Sequence, residues 1–198
     1  MSDWLSKLSF AAGLALASLV SGCEGGVGDP CVPEEEFLKD FSGFSLEQTN
    51  VESRSFQCET RICLVNHFAG RVSCPYGQAE GDLGLAATDP KRCRIPGSTD
   101  PVEVAVDPQR VKRRADDTVY CSCRCSGPDK NARYCDCPSG YGCVKLIDDL
   151  SLGSGQLAGS YCIKDGTAYD ASAQGVSLYA PPCDSKISSC GNNGQNPQ

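Results

Sequence analysis

Thiols are the chemically distinctive groups of this 198-residue chain, which has fifteen cysteines against a single histidine, His67. Cysteine sulfur can be acylated, cross-linked, bound to metal or cycled through redox exchange, and spacing separates these fates. No C-x-x-C occurs, so both the dithiol loop of a thioredoxin-like centre and the C-x-x-C-H of covalent haem are missing. Cys121, Cys123 and Cys125 alternate with single residues, and Cys135, Cys137 and Cys143 follow closely. That cluster could ligate metal as thiolates, but in an oxidising compartment the same spacing is expected to hold disulfides. An odd total leaves one cysteine over in an oxidised chain.

The leader singles out that cysteine. Met1 to Lys7 form a short head in which Asp3 offsets Lys7, and Leu8 to Val20 form an apolar run, followed by Ser21 and Gly22. A bilayer-spanning helix needs roughly 20 apolar residues, so residues 1–22 read as a cleaved export signal rather than a span. Val20-Ser21-Gly22-Cys23 resembles the lipobox of bacterial lipoproteins. The resemblance implies diacylglycerol on the Cys23 sulfur, cleavage before Cys23 and acylation of the new amine. In that family an Asp after the lipidated cysteine marks retention at the inner membrane; Glu24 here implies the outer membrane. An ordinary secretory signal, with Cys23 as one more half-cystine, is the open alternative. Residues 23–30, Cys-Glu-Gly-Gly-Val-Gly-Asp-Pro, offer little to pack and are expected to be a flexible tether.

Composition says how the remainder must be held. From Cys23 onward Leu, Ile, Val and Phe are about 32 of 176 residues, near the level below which a chain struggles to build a core. Cysteine is about 8 per cent of the same stretch, in the range of disulfide scaffolds. At about 2 to 4 kcal/mol per native bridge, several bridges exceed the usual net stability of a domain. The expected fold is therefore a disulfide-rich body of short β-strands and loops with little helix. The net charge of −7 argues against nucleic acid or anionic lipid headgroups as the main partner. Lys91, Arg92 and Arg94, and again Arg110, Lys112, Arg113 and Arg114, form basic clusters read as a solvated face or, alternatively, a docking patch.

An N-terminal lobe, 31–96, carries Cys31, Cys58, Cys63, Cys74 and Cys93. Pro33 and three following acids predict one or two helical turns within Glu34 to Phe41. Ser55 to Arg61 and Ile62 to Val72 read as short strands broken at Gly70, and Gly81 to Pro96 as loop. A C-terminal lobe, 97–190, opens with Val102, Val104 and Val106 alternating as in a half-buried strand. Thr118 to Cys125 repeat that period, placing Cys121, Cys123 and Cys125 on one face, each expected to reach a different segment. Asp165-Gly166 between Tyr161 and Tyr169 predicts a hairpin with Cys162 on its first strand. Cys183 and Cys190 can close a small local loop, and 191–198 are expected to be disordered. With Cys23 set aside, five cysteines lie before residues 97–117 and nine after. Complete pairing therefore requires an odd number of bridges between the lobes, making one continuous cross-linked unit.

Cys135-Asp136-Cys137-Pro138-Ser139-Gly140-Tyr141-Gly142-Cys143 resembles the C-terminal half of an EGF-like module, with its C-x-C, Gly-aromatic pair and closing cysteine. The loop from Cys137 to Cys143 is about three residues shorter than in that family. The resemblance implies that Cys137 bonds to Cys143. Asp116-Asp117 ahead of Cys121 lack the acid-x-acid-acid pattern of the calcium-binding members.

These residues point to a non-enzymatic, lipid-anchored, disulfide-stabilised envelope protein that binds a partner or serves a structural role. Its partners are the membrane, through Cys23, and an envelope or extracellular protein; no cofactor is expected. The loops Arg110 to Arg114 and Asp148 to Gly159 are the expected contact surfaces. Two alternatives stand beside this reading. One is an envelope hydrolase or accessory enzyme, which must use His67, although Leu64-Val65-Asn66-His67-Phe68 contains no nucleophile motif. The other is a cysteine-based metal-binding protein.

Overall fold

The computed structural model describes residues 25–149, 157–169, 181–186 and 190. The leader, Cys23, most of the loop from Asp148 to Gly159 and the tail 191–198 lie outside the described residues. Short strands form two three-stranded antiparallel sheets. In the first, β1 (Thr49–Glu52), β2 (Ile62–Asn66) and β3 (Val119–Ser122) lie in chain order. In the second, β6 (Gly159–Lys164) is central between β4 (Arg124–Ser126) and β5 (Tyr141–Ile147). Only Cys123 separates β3 from β4, so one run of chain enters both sheets. Helix is confined among the described residues to 3₁₀ turns at Glu34–Phe37 and Glu80–Asp82 and a single α-turn, α1, at Ala115–Thr118.

Strand alternation sorts the first sheet's two faces. Cys63, Val65, Val119 and Cys121 turn to one side, where they pack with Phe44, Phe68 and Val72. Leu64 and Tyr120 turn to the other, against Ile163 and the partly buried Tyr141 of the second sheet. Polar bonds tie the sheets together here: the Lys164 backbone N–H donates to the Tyr120 hydroxyl at 2.8 Å, and the Ser122 hydroxyl donates to the Cys162 carbonyl at 2.9 Å.

All fourteen cysteines after Cys23 are paired. The bridges are Cys31–Cys63, Cys58–Cys121, Cys74–Cys93, Cys123–Cys135, Cys125–Cys143, Cys137–Cys162 and Cys183–Cys190. Cys58–Cys121 crosses between the lobes. Cys121, Cys123 and Cys125 each reach a different segment. The pairing implied by the EGF-like resemblance does not form: Cys137 bonds to Cys162 and Cys143 to Cys125. The reason lies in β5. Its seven residues draw Cys143 into a ladder with β6, directly opposite Cys162, while Cys137 stays in the loop before the strand.

Several local expectations change for identifiable reasons. The Asp165-Gly166 turn is present, with Gly166 at φ 79°, but Thr167 to Tyr169 do not pair back on β6. Both edges of β6 are already occupied by β4 and β5. Val102 and Val106 are buried as their alternation requires, yet no strand forms there. The Gln78 side chain takes the Val102 and Val104 carbonyls instead, at 3.0 and 2.5 Å, while its oxygen accepts the Cys93 N–H. Ser55 to Arg61 is a turn rather than a strand, closed by the Ser55 N–H on the Arg61 carbonyl at 3.1 Å.

The expected tether is also corrected. Gly25 to Pro30 are fastened to the body: Gly25 N–H donates to the Gln57 carbonyl, Glu59 N–H to the Gly25 carbonyl, Gly28 N–H to Cys121, and Cys121 N–H to Asp29, all within 2.7–2.9 Å. Small residues that offer no side chain to pack also allow close backbone approach. At Gly28, φ is 100° and a Cβ would strike the Tyr141 hydroxyl, so only glycine fits.

Candidate functional site

Three close backbone contacts made by glycines help to build a cleft lined by Phe44, Ala69, Tyr76 and Val106. Gly43, at φ 108°, lies against Gly70, and Phe44 and Gly70 exchange two backbone hydrogen bonds of 2.8 and 3.0 Å. Gly70, at φ 84°, abuts the Asp107 carbonyl, and Gly77, at φ 66°, abuts Val106 and Pro108. Any Cβ at these positions would collide with backbone, so the three segments meet closely only because the residues are glycine. The resulting cleft has a volume of about 870 Å³ and is lined by charges of both signs, including Glu47, Asp82 and Asp107 with Lys91 and Arg110. Clefts that hold small ligands span roughly 300–1,000 Å³. The Ser45 hydroxyl donates to Glu47 and holds its carboxyl below the usual range. Lys91 stands 4.0 Å from Asp82. The lining offers charge and hydrogen bonds for recognition.

His67 is not among the cleft's lining residues. It occupies the left-handed region at φ 49°, and its ring lies flat on Tyr169 with centroids 3.6 Å apart. Its Nδ1 donates to the Leu46 carbonyl at 2.7 Å, which fixes the tautomer. Burial, with Arg113 nearby, lowers the imidazole pKa, while the Leu46 carbonyl and Glu47 oppose the shift. Among the described residues no hydroxyl or carboxylate is hydrogen-bonded to this ring, so no nucleophile-base pair is assembled on it.

The basic clusters divide: Lys91, Arg94 and Lys112 are exposed, as a solvated face requires, whereas Arg92 and Arg113 are buried. Arg113 is 2% exposed and donates to the carbonyls of His67, Asn66 and Thr167. Arg92 is buried too, donating to the Leu83 and Val102 carbonyls. Arg110 to Arg113 are overlaid by residues 181–183, through the Val111 N–H on Pro181 at 3.1 Å and the Cys183 N–H on Gln109 at 2.8 Å. Of the expected contact loop Arg110 to Arg114, Lys112 alone is well exposed. The other expected contact loop is described only at its ends, where Asp148 pairs with Lys145 at 2.6 Å.

A third buried arginine carried no sequence signal. Arg71, fully buried, faces the fully buried Glu36 with Nε 3.4 Å from the carboxylate, and its guanidinium donates to the carbonyls of Glu36, Leu38 and Phe41. Glu36 in turn accepts from the Val72 N–H at 2.6 Å and the Ser73 hydroxyl at 2.6 Å. Burial pushes the Glu36 carboxyl above its ordinary value against the pull of Ser73, Arg71 and Val72. Irregular chain leaves carbonyls without ladder partners, and buried carbonyls must be paired. Arg71, Arg92 and Arg113 supply the missing donors.

Sulfur atoms gather at three places, around Cys31, Cys58 and Cys121, around Cys123, Cys135 and Cys162, and around Cys125, Cys137 and Cys143. In each group the sulfurs belong to neighbouring disulfides, as where Cys162 Sγ approaches Cys123 Sγ at 3.5 Å. Metal ligation there would require reduction first. Among the described residues no helix is long and apolar enough to cross a membrane. Compared with protein-family models, with curated proteins and with solved structures, the chain finds no match in any of the three.

Proposed function

We propose that the chain is a lipid-anchored, disulfide-stabilised protein of a bacterial envelope, outer membrane by the residue at position 24, with a binding or structural role rather than a catalytic one. The observation that supports this best is the pairing arithmetic. Fourteen cysteines bond among themselves, and a half-cystine bonds once, so Cys23 is left over at the foot of an export-like leader. A thiol left over in a cross-linked, exported chain is well accounted for by acylation. More than one acyl chain makes a lasting anchor where one holds weakly.

The charged, glycine-walled cleft is the concave surface that a binding role would use. Its walls are held by Cys74–Cys93 and by backbone pairs, so a partner entering it would order little chain, which lowers the entropic cost of docking. An enzymatic reading has less behind it, because His67 faces an aromatic ring and a carbonyl instead of a cleft.

Expression in a bacterial envelope tests the anchor. The mature N-terminus should carry the mass of a diacylglyceryl and an acyl group on Cys23, and a Cys23→Ser form made without residues 1–22 should stay in the aqueous fraction. A mature protein with an unmodified Cys23, or one that begins elsewhere, overturns the reading. For the role, reversing charge at Lys91 and Arg110 should abolish cross-links to a partner in the native envelope while leaving the fold intact.

A further inference from the structure

Phe56 is 81% exposed, the most exposed large apolar side chain among the described residues. It stands at the tip of the turn from Ser53 to Arg61, flanked by exposed Arg54 and Arg61, with the Arg61 guanidinium 4.9 Å above the ring. This turn is also the one to which the N-terminal segment is fastened. Gly25 donates to the carbonyl of Gln57, the residue next to Phe56, and accepts from Glu59, both at 2.9 Å. Cys23 lies two residues before Gly25, a reach of at most about 7 Å.

We propose that Phe56 is a second membrane contact: it inserts into the same bilayer that holds the Cys23 acyl chains, and so orients the body on the membrane surface. This rests on the lipid-anchored reading of Cys23. Because Gly25 is pinned, Glu24 is the sole residue between the anchor and the body, and the body's Ser53 to Arg61 turn must lie at the membrane surface. An aromatic ring there leaves water for the headgroup and acyl boundary, where such rings are favoured. Arg54 and Arg61 sit beside it where anionic headgroups attract basic side chains; Glu59 on the same turn and Glu52 at the end of β1 are the acids that limit that attraction. Covalent attachment nearby makes the insertion effectively intramolecular, so one ring suffices where it would not hold a free protein.

The sequence provides its own probe. The chain's single tryptophan, Trp4, lies in the leader, so Phe56→Trp makes the sole tryptophan of the mature protein. The full-length lipidated variant would be reconstituted into phosphatidylethanolamine–phosphatidylglycerol vesicles with or without brominated acyl chains. The expected result is a blue-shifted tryptophan emission that brominated lipid quenches and that aqueous iodide reaches poorly, with neither effect for an unlipidated Cys23→Ser form made without residues 1–22 and mixed with the same vesicles. A second measurement avoids the substitution: trypsin should cut after Arg54 and Arg61 more slowly in vesicle-bound protein than in free protein, and Phe56→Ser should restore the rate. Vesicle-bound, acylated Phe56→Trp protein whose indole remains open to iodide and unquenched by bromine overturns this proposal alone. Absence of acyl mass on Cys23, with no flotation on vesicles, overturns it together with the anchor.

Discussion

Cys63 and Cys121 stand directly opposite each other on β2 and β3, yet each bonds elsewhere, Cys63 to Cys31 and Cys121 to Cys58. Cys143 and Cys162 repeat the arrangement on β5 and β6, bonding to Cys125 and Cys137. Neighbouring strands already hold each other through backbone hydrogen bonds. A bridge that leaves the pair and takes in another segment adds a constraint the ladder lacks.

Peptide mapping under non-reducing conditions should therefore recover Cys31–Cys63, Cys58–Cys121, Cys125–Cys143 and Cys137–Cys162. Recovery of Cys63–Cys121, Cys143–Cys162 or Cys137–Cys143 from the native protein would count against the observed register.

Cys58→Ala removes the bridge that joins the lobes, which closes a separation of 63 residues. Loop entropy puts the loss near 4 kcal/mol. The freed Cys121 sulfur lies within 4.8 Å of Cys31, so thiol exchange with Cys31–Cys63 should follow and give mixed isomers. The double variant Cys58→Ala/Cys121→Ala should lose similar stability in guanidinium titrations but remain a single isomer.

Arg71→Met strands a buried carboxylate and three carbonyls, a loss of about 3–5 kcal/mol in denaturant unfolding. Adding Glu36→Gln should recover part of that loss, because the carboxylate no longer needs a counter-charge. Additive effects in the double-mutant cycle would show that the pair is not coupled.

His67 carries a pH dependence whose sign follows from its lowered pKa, caused first by burial. Between the ordinary value of 6.5 and the lower folded value, the unfolded chain binds the proton and the folded chain does not. Stability is then complete above 6.5 and falls as pH drops through that window. His67→Asn keeps a residue that tolerates the left-handed backbone and should flatten this segment of the stability profile. An unchanged profile would place the dependence on other groups.

Gly28→Val should detach residues 25–30, since the added side chain meets the Tyr141 ring. Amide exchange should rise at Gly28 and Cys121, whose N–H groups bond across this contact, while the ladder of β5 and β6 stays protected. Protection unchanged at Cys121 would mean that the segment tolerates a side chain.

Few aliphatics and abundant cysteine already determined an oxidised construction of short strands and loops, because burial of so little hydrocarbon cannot offset chain entropy without cross-links. Parity alone required a bridge between the lobes and left one cysteine over. Alternation of Val119 and Cys121 correctly placed them on one face, since side-chain direction along a strand is a local property. The partners were not legible. A disulfide requires Cα atoms roughly 4.4–6.8 Å apart, a distance set by strand register and not by separation along the chain. That is why the close pair Cys137 and Cys143 is unbonded while Cys137 reaches Cys162. The same holds for Arg71, Arg92, Arg113 and Gln78, whose role depends on which carbonyls the finished fold leaves unpaired, and for Gly25 to Pro30, where the sequence shows small residues and only the body shows what they lie against.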